Sequence, residues 1–488
     1  MPDSLETADK DSGPLRRVAI DPLTRVEGHG KVTLLLDADN RVQQARLHIV
    51  EFRGFERFIE GRPYWEIPVM VQRLCGICPV SHQLAASKAL DAVVGATQLT
   101  PSAEKLRRLM HHGQILQSHA LHFFHLSSPD LLFGFESDVE RRNIVGVAAS
   151  HPDIARQGIA LRRYGQEVIR LTAGKRIHGT GAIPGGVNRS LSGAERAALS
   201  AEIDSIVRWS RDAVAIVRDL HEANRALYDG FGRVPAASMS LVAADGSLDL
   251  YDGALRGRDA GGRVVFDHVD SGHYDRLITE AVKPWSYMKF PHWSAHGAEN
   301  GWYRVGPLAR VQNCDRIGTP LAEAARREWL ARADGDMVHG ALGCHWARMI
   351  EMLFAAETIA ELLADDDLEG RELLAGGRRQ REGVGVIEAP RGTLIHHYQV
   401  GDDDLISMAN LVVATTHNNE VMNRAVRDVA RSRFDGRQIT EGLLNQIEVA
   451  IRAYDPCLSC ATHALGSMPL HVVALAADGS EVARRVRD

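Results

Sequence analysis

The chain has 488 residues, of which 45% are hydrophobic and 25% charged, so it can bury a large core and is neither disordered nor fibrous. Its net charge of -6 excludes the basic surface that binding to nucleic acid requires. No apolar run approaches the roughly 20 residues of a membrane span, and residues 1–14 lack the pattern of a secretory signal, so we expect no membrane association and a cytoplasmic location.

Secondary structure is predicted from the spacing of apolar residues. Strands are expected at residues 31–36 and 42–51, around a turn at 37–40. Apolar residues then recur at spacings of three and four, which predicts helices at residues 81–94, 104–126, 152–171, 193–228, 346–363 and 439–454. Stretches rich in Gly, Pro and Asp interrupt this pattern near residues 179–188, 243–272 and 375–385.

These elements predict an α-rich α+β fold in one large domain. Its core would be a large helical bundle, with small β layers near the N- and C-termini. Residues 1–16 are expected to be disordered. No long flexible linker divides the chain into independent units.

Four of the six cysteines form two Cys-x-x-Cys pairs, Cys75 with Cys78 and Cys457 with Cys460. The two-residue spacing lets both sulfurs of a pair reach one metal ion, and four thiolates suit zinc, an iron–sulfur cluster or nickel. The pairs lie almost the whole chain apart, whereas structural zinc sites gather their ligands within one short module. The pattern predicts a metal site that the global fold assembles, and it leaves the metal open.

The residues around the pairs carry a resemblance to a known family. Two longer motifs contain the pairs, RLCGICPVSH at 73–82 and DPCLSCATH at 455–463. They resemble the signature motifs of nickel-iron hydrogenase large subunits. The likeness continues through DPLTRVEGH at 21–29, FRGFE at 52–56, APRG at 389–392 and LVVATT at 411–416. The chain is most similar to the cytoplasmic, NAD-linked bidirectional type, and the resemblance implies a large-subunit domain at residues 17–463.

The resemblance implies a bimetallic centre. All four thiolates would bind nickel, while Cys78 and Cys460 would also bridge to an iron that carries carbon monoxide and cyanide. Cys75 and Cys457 would then be terminal ligands. Thiolates donate charge to a redox-active nickel, and the diatomic ligands keep the iron low-spin. The implied activity is reversible heterolytic cleavage of H2 by an oxidoreductase with hydrogen as donor.

Three further residues match positions that act on protons and charge in the family. By this resemblance, Glu27 takes the proton from Cys457, which is a general-base role. Arg391 is the cation that overhangs the metals, and Asp455 orients it.

Other matched residues surround the metals. His82 would hydrogen-bond the bridging sulfur of Cys78, and the Thr415 hydroxyl would bond a cyanide. Two departures from the family pattern weaken the charges expected near the centre. Ala414 stands where many relatives have Pro, and Ser118 aligns with a position where many have Asp.

The resemblance also implies a magnesium site and a processing step. Glu56, the backbone carbonyl of Leu411 and His463 match the ligands of a magnesium or similar ion. His463 is the last residue of the mature protein in relatives, so residues 464–488 would be removed by a maturation endopeptidase after chaperones insert nickel. Until then, this extension would hold the second cysteine pair away from the centre. The strand-like residues on either side of Asp478-Gly479 predict a hairpin in it.

Electrons must leave through another chain, because the remaining cysteines, Cys314 and Cys344, cannot hold an iron–sulfur cluster. The resemblance implies a small iron–sulfur subunit, together with diaphorase subunits that carry FMN and reduce NAD. Five histidines on one predicted helix are interpreted as packing and polar contacts rather than as a metal site: His111, His112, His119, His122 and His125.

Three alternatives remain at this point. A regulatory H2-sensing subunit would keep the same metals with a different partner. A scaffold protein with a four-cysteine zinc site would need neither Arg391 nor Glu27. A related respiratory-complex subunit lacks the nickel cysteines, so the four thiols argue against it.

Overall fold

The computed structural model describes residues 15–487 apart from 53, 334–335, 435, 437, 463–469 and 476–480. The strands are β1 (Arg16–Ile20), β2 (Gly30–Leu36), β3 (Val42–Ile49), β4 (Ala182–Ile183), β5 (Gly186–Val187), β6 (Ala237–Val242), β7 (Ala254–Arg258), β8 (Val264–Val269), β9 (Ile278–Ala281), β10 (Phe290–Trp293), β11 (Tyr303–Arg304), β12 (Glu382–Ala389), β13 (Gly392–Val400), β14 (Ile406–Val412), β15 (Leu470–Leu475) and β16 (Glu481–Arg487).

The helices are α1 (Phe55–Ile59), α2 (Ile67–Met70), α3 (Pro79–Val93), α4 (Pro101–Leu121), α5 (Ser128–Phe133), α6 (Ile144–Ser150), α7 (Pro152–Ala173), α8 (Gly193–Ala223), α9 (Arg225–Gly230), α10 (Gly297–Asn300), α11 (Pro307–Asn313), α12 (Pro320–Arg332), α13 (Gly343–Leu363), α14 (Ala414–His417), α15 (Asn419–Phe434) and α16 (Glu441–Ala453). No helix within the described residues is both long and apolar enough to cross a membrane.

Helices occupy all six segments where the apolar spacing predicts them. The predicted helix at 193–228 is divided into α8 and α9 at Asn224, which has a non-helical backbone. The Asn224 side chain accepts a hydrogen bond from the N–H of Leu227 and so begins a new helix. The predicted helix at 104–126 is observed as α4, which ends at Leu121. A wider π-helical turn at His122–Ser127 follows it directly.

The helical core is a bundle in which α4 packs against α7 and α13, and α13 packs against α8. Two glycines let α4 and α7 approach closely. A Cβ at Gly113 would lie 2.7 Å from a methyl group of Val168, and one at Gly165 would lie 2.6 Å from the Gly113 carbonyl. Any larger residue at either position would force the two helices apart.

The β structure is more extensive than the sequence predicts. The N-terminal hairpin of β2 and β3 is observed, and β1 adds a third antiparallel strand to it. A four-stranded sheet in the order β11-β6-β7-β8 occupies much of the region predicted to be an irregular interruption. Its strands are short and contain Gly and Asp, so their alternation is weak in the sequence. The α-rich α+β class is confirmed.

The three-stranded sheet of β12, β13 and β14 packs against α3. Gly383 and Gly385 on β12 make the close approach possible, because a Cβ at either would collide with backbone atoms of α3. This contact fixes α3, which begins directly after the first cysteine pair, against the strand that precedes Arg391.

Two terminal predictions are only partly described. Arg16 already belongs to β1, while residues 1–14 lie outside the described residues. The predicted C-terminal hairpin is observed as β15 paired antiparallel with β16, although its turn at 478–479 is outside the described residues.

Candidate metal centre

The first cysteine pair lies on the loop between a short 3-10 turn at Val71–Leu74 and α3. Pro79 opens α3, where its missing N–H leaves no helical bond unmade. The N–H groups of Ile77 and Cys78 donate to the sulfur of Cys75 over 3.2 and 3.4 Å. Two backbone N–H groups are thus directed at a sulfur that could bind a metal.

The second pair follows α16 and is held by distant parts of the chain. The backbone N–H of Cys457 donates to the Thr415 hydroxyl over 2.9 Å. The next N–H, that of Leu458, donates to the backbone carbonyl of Glu27 over 2.9 Å. The segment is therefore fixed between the N-terminal region and α14.

The structure brings the four cysteine sulfurs together, all within 4.8 Å of one another and all buried. The sulfur of Cys457 lies 3.2 Å from that of Cys75 and 2.9 Å from that of Cys460. Four sulfurs bound tetrahedrally at about 2.3 Å from one metal would lie roughly 3.8 Å apart. Two of the observed separations are shorter than this, so these sulfurs would move apart slightly around a metal. The donor set fits a thiolate-bound transition metal, and no other such ligand cluster occurs within the described residues.

The protonation of these thiols is strongly coupled. Burial raises the pKa of Cys457 and of Cys460 well above the usual range. Hydrogen bonds from Cys457, and then from Cys460 and Cys75, lower the pKa of Cys78 well below that range. Several buried thiolates cannot coexist without a compensating positive charge, so a metal cation is the partner that this cluster needs.

Glu27 lies against the second pair. Its carboxylate oxygen Oε2 is 2.9 Å from the sulfur of Cys457 and accepts the backbone N–H of Ser459 over 3.2 Å. The Ser459 hydroxyl also bonds Glu27. Ser459 was not among the sequence-predicted residues, although its position between the two cysteines is visible in the motif. Glu27 is half-buried, so it links the buried sulfur to the outer surface of this chain.

Arg391 and Asp455 form a buried ion pair beside the sulfurs. The Nε–H of Arg391 donates to the backbone carbonyl of Asp455 over 2.7 Å, and Nη2 lies 3.1 Å from its Oδ1. Burial alone would lower the pKa of Arg391, but the negative charge of Asp455 and then of the cysteines raises it well above its usual value. Its third nitrogen, Nη1, is buried without a hydrogen-bond partner within the described residues. That N–H is free to donate to a ligand.

Arg310, which the sequence did not single out, fixes the strand that leads to Arg391. It is wholly buried and donates to both carboxylate oxygens of Glu351 over 2.6 Å each. It also donates to Glu388 over 2.8 Å and to the carbonyl of Ala389 over 2.9 Å. This network holds the backbone immediately before Arg391.

A cavity with an empty volume of about 250 Å³ adjoins the sulfurs. Its lining comprises Cys78, Ser81, His82, Ala389, Pro390, Arg391, Leu394, Val413, Ala414, Thr415, Cys457 and Cys460. Thr415 accepts the Cys457 N–H, which leaves its own O–H free to donate. Ser118 is not part of this lining; it is buried in α4, and its hydroxyl has no partner within the described residues.

Two of the three predicted magnesium ligands lie within the described residues. Glu56 lies on α1, which packs against β14, the strand that carries Leu411. His463 lies outside the described residues. The second cysteine pair already lies at the centre in this chain, which includes β15 and β16, so the structure does not show the pair held away by the C-terminal extension.

Two of the histidines of α4 make polar contacts expected of buried residues. His111 bonds the carbonyl of Leu250 over 2.9 Å, and His119 bonds Glu351 over 3.1 Å. Burial lowers the pKa of both imidazoles to about 4, so they are neutral at pH 7. They belong to no metal-ligand cluster within the described residues.

The chain belongs to the nickel-dependent hydrogenase family. The family model described as nickel-dependent hydrogenase matches residues 53–133 and 253–463, and one described as HoxL-like matches residues 17–52. The prediction of a catalytic hydrogenase large subunit is confirmed. The family is nickel-dependent, and the four cysteines form a cluster of possible metal ligands in this chain.

Several known proteins are similar over almost the full length. The chain is 48% identical to the NAD-reducing hydrogenase HoxS subunit beta of Cupriavidus necator, over 97% of this chain and 100% of that one. It is 39% identical to a chain of the F420-non-reducing hydrogenase vhc of Methanococcus voltae, over 93% and 96% of the two chains. A solved NAD+-reducing [NiFe]-hydrogenase in the H2-reduced state has 62% identity and a TM-score of 0.91, over 92% of this chain and 99% of that one.

Proposed function

We propose that this chain is the H2-cleaving subunit of an NAD-linked hydrogenase. The observation that carries the proposal is the convergence of four buried sulfurs with Glu27 in contact with one of them. The relatives at 48% and 62% identity are described as NAD-reducing, which supports NAD as the final acceptor. NAD is a soluble cytoplasmic acceptor, so we place the protein in the cytoplasm.

All four thiolates would hold the nickel, and Cys78 and Cys460 would also hold the iron. The cavity beside them is lined by Cys78 and Cys460, the two residues that would hold an iron carrying carbon monoxide and cyanide. The free O–H of Thr415 and the free N–H of Arg391 both belong to side chains that line this cavity, and both suit a cyanide nitrogen. When bound, the nickel-iron centre supplies heterolytic cleavage of H2, which yields two protons and two electrons.

The proton route begins at the sulfur of Cys457. This sulfur holds a proton, and Glu27 at 2.9 Å accepts it as general base. The two bonds from Ser459 orient the Glu27 carboxylate toward the sulfur. Because Glu27 is half-buried, the proton can pass from it toward water.

The electrons leave through partner chains. No second cluster of metal ligands occurs within the described residues, so a relay must come from a small iron–sulfur subunit, followed by diaphorase subunits with FMN. Large apolar side chains near the first motif support a covered surface there: Val50, Phe52, Phe58 and Trp65 are each between 45% and 53% exposed. Isolated soluble proteins rarely expose such a group of residues.

Two further parts of the proposal concern magnesium and maturation. Glu56, the Leu411 carbonyl and His463 would bind magnesium, for which carboxylate and carbonyl oxygens are suitable ligands. An endopeptidase cuts after His463 once chaperones have delivered nickel. The end of the family match at residue 463 supports this boundary.

The experiment that tests the proposal is infrared spectroscopy of the purified complex, combined with metal analysis and an assay of H2-dependent NAD reduction. Carbonyl and cyanide bands, one nickel for each copy of this chain, iron in excess of nickel because of the iron–sulfur subunit, and rapid turnover are expected. Zinc without these bands would refute the proposal. The same bands with very low turnover would instead indicate the H2-sensing alternative.

A further inference from the structure

A buried carboxylate joins the segment that carries Glu27 to the helix that leads to Cys457. Asp130 lies on α5 and is 2% exposed. Its Oδ1 accepts from Nη2 of Arg25 over 2.7 Å, and its Oδ2 accepts from Nη1 of Arg452 over 2.8 Å. Arg25 precedes Glu27 by two positions in the chain. Arg452 lies on α16 and precedes Cys457 by five.

Further contacts make Asp130 the centre of a network. The Nδ2 of Asn445 on α16 donates to its Oδ1 over 3.1 Å, and Nε of Arg142 lies 3.6 Å from the same oxygen. Arg25 also donates from Nη1 to the carbonyl of Leu126, in the turn before α5, over 2.9 Å. Because the Arg25 guanidinium bonds both a buried carboxylate and the backbone of this turn, its position and its orientation are fixed.

The same network holds the backbone that precedes Glu27. Nε and Nη2 of Arg452 donate to the carbonyl and the hydroxyl of Thr24, each over 3.1 Å. The backbone N–H of Thr24 donates to Glu448, one helical turn earlier on α16, over 2.6 Å. Thr24 is therefore bound to α16 directly, and Arg25 is bound to it through Asp130.

The backbone of Arg25 has a conformation that depends on such contacts. Its φ is 54°, in the left-handed region that residues with a Cβ rarely adopt. This conformation persists only where the surrounding structure enforces it. Two residues further on, Glu27 is followed by Gly28, where a Cβ would lie 2.6 Å from the backbone nitrogen of Ser459. The segment has little room beside the second cysteine pair, so a change of φ at Arg25 would displace Glu27.

We propose that Asp130 is a positioning residue that holds Glu27 against the sulfur of Cys457. It acts by joining Arg25 to Arg452. Its effect is to fix the separation between the Glu27 carboxylate and the sulfur, which is 2.9 Å. Proton transfer requires the two groups to stay within hydrogen-bond reach, and small displacements slow it strongly. The inference rests on the proposed role of Glu27 as the proton acceptor.

The test uses the nickel-loaded complex and the variant Asp130→Asn, which keeps the size of the side chain but removes the charge that binds both arginines. The first measurement is deuterium uptake by the backbone amide of Leu458, followed by mass spectrometry. This N–H donates to the carbonyl of Glu27 over 2.9 Å, so its protection reports on the contact between the two segments. We expect Asp130→Asn to lose this protection.

The second measurement is hydrogen/deuterium exchange between H2 and D2O, with the nickel content of each sample determined by metal analysis. Asp130→Asn should exchange more slowly than the wild type at unchanged nickel content. If Asp130 acts through Glu27, the double variant Glu27→Gln/Asp130→Asn should be no slower than Glu27→Gln alone. A further loss in the double variant would show that Asp130 acts elsewhere and would contradict the inference.

Asp91→Asn is the matched control. Asp91 is also a buried aspartate, and its two oxygens accept from Nη1 and Nη2 of Arg107 over 2.6 and 2.9 Å. This change breaks a buried carboxylate–arginine pair that includes neither residues 24–27 nor α16. It should destabilise the fold but leave the Leu458 protection and the isotope exchange as in the wild type. Equal losses of protection in the two variants would show a general loss of stability and would overturn the inference.

Arg25→Met provides the test if Asp130→Asn does not fold. The Arg25 side chain is 21% exposed, and its loss leaves Asp130 bound to Arg452 and Asn445. We expect the same two effects as for Asp130→Asn. If Arg25→Met retains both the Leu458 protection and wild-type isotope exchange, the inference is wrong.

The outcomes separate this inference from the proposed function. If Glu27→Gln slows isotope exchange while Asp130→Asn changes neither measurement, Asp130 does not position Glu27, and the proposed proton route stands. Loss of Leu458 protection with unchanged isotope exchange would also reject the inference. If Glu27→Gln exchanges isotopes as fast as the wild type, the proposed route fails, and with it the role of Asp130 in proton transfer.

Discussion

The thiol of Cys457 lies 2.9 Å from Oε2 of Glu27, although 430 positions separate the two residues in the chain. A short parallel bridge between their backbones holds this contact in place. The first proton transfer therefore depends on a contact between the N-terminal region and the loop that follows α16. This arrangement makes Glu27 the clearest target for mutation.

Glu27→Gln should block proton exit while it leaves the metals bound. The amide keeps the size of the side chain but cannot accept the proton as a carboxylate does, so turnover should fall by about 10²–10⁴-fold. Hydrogen/deuterium exchange and nickel content of the purified variant are the measurements. Ser459→Ala is the comparison: it keeps the carboxylate and loses an orienting bond, so its loss should be smaller. Wild-type exchange in Glu27→Gln would show that protons leave by another route.

The helices could be predicted from the sequence because their apolar spacing is regular and local. The cysteine motifs likewise predicted which four sulfurs the fold brings together. Other features depend on contacts between distant residues, which spacing does not encode. Arg310 meets Glu351 and Glu388 only in the folded chain, and nothing near Arg310 in the sequence indicates a site.

The sheet that contains β6, β7 and β8 was missed for a different reason. Its strands are short, and β7 contains Gly257, where a Cβ would collide with the ring of Phe266. In a sequence such glycines suggest a loop, but here they permit close packing within the sheet. The contact between His396 and His82 could not be predicted either, because it forms only when β13 packs against α3.

Replacement of any of Cys75, Cys78, Cys457 or Cys460 by Ala should abolish nickel binding. Each removes one of four sulfurs that lie within 4.8 Å of one another. Metal analysis of the purified chain gives the result directly. Cys314→Ala and Cys344→Ala are suitable controls, because these thiols are buried outside the cluster and burial raises their pKa, that of Cys314 to about 11. Full nickel occupancy in a variant of the first group would reject the four-sulfur site.

Arg310→Met should destabilise the fold and disturb Arg391. It leaves the carboxylates of Glu351 and Glu388 buried without their cation, and breaking a buried pair costs about 3–5 kcal/mol. Denaturant unfolding monitored by circular dichroism measures the loss. Arg163→Met, which breaks an exposed pair with Glu202, should change stability little. Equal effects of the two changes would contradict the assigned importance of the buried network.

The same network predicts a dependence of stability on pH. Burial alone would raise the pKa of Glu351, but Arg310 lowers it from 4.5 to about 2. A carboxyl with a lowered folded pKa stabilises the protein above pH 4.5, and this contribution is lost as the pH falls toward 2. Between those values the unfolding free energy of the wild type should fall more steeply than that of Glu351→Gln. Parallel curves would show that Glu351 does not contribute.

The isolated chain should not reduce NAD with H2. It offers no second metal cluster within the described residues, so electrons cannot leave the nickel without a partner. Addition of the iron–sulfur and diaphorase subunits should restore the reaction, as an NAD reduction assay would show. NAD reduction by the pure single chain would contradict the proposed division of labour.

Maturation should shorten the active chain to His463. Intact mass spectrometry of the active complex should therefore find a chain without residues 464–488, whereas nickel-free protein from cells starved of nickel should retain them. An active, nickel-loaded chain of full length would refute processing at this position.

The separation of the two cysteine pairs along the chain also determines when, during synthesis, the protein can first bind its metal. Their sulfurs meet across 382 positions, so the ribosome finishes the second pair long after the first. At synthesis rates of about 5–20 residues per second, this interval is roughly 20–80 s. During that time Cys75 and Cys78 lack their partners and are exposed to oxidants and competing metals. A stalled or truncated chain cannot complete the set, so only chains translated through residue 460 can acquire a four-sulfur nickel site.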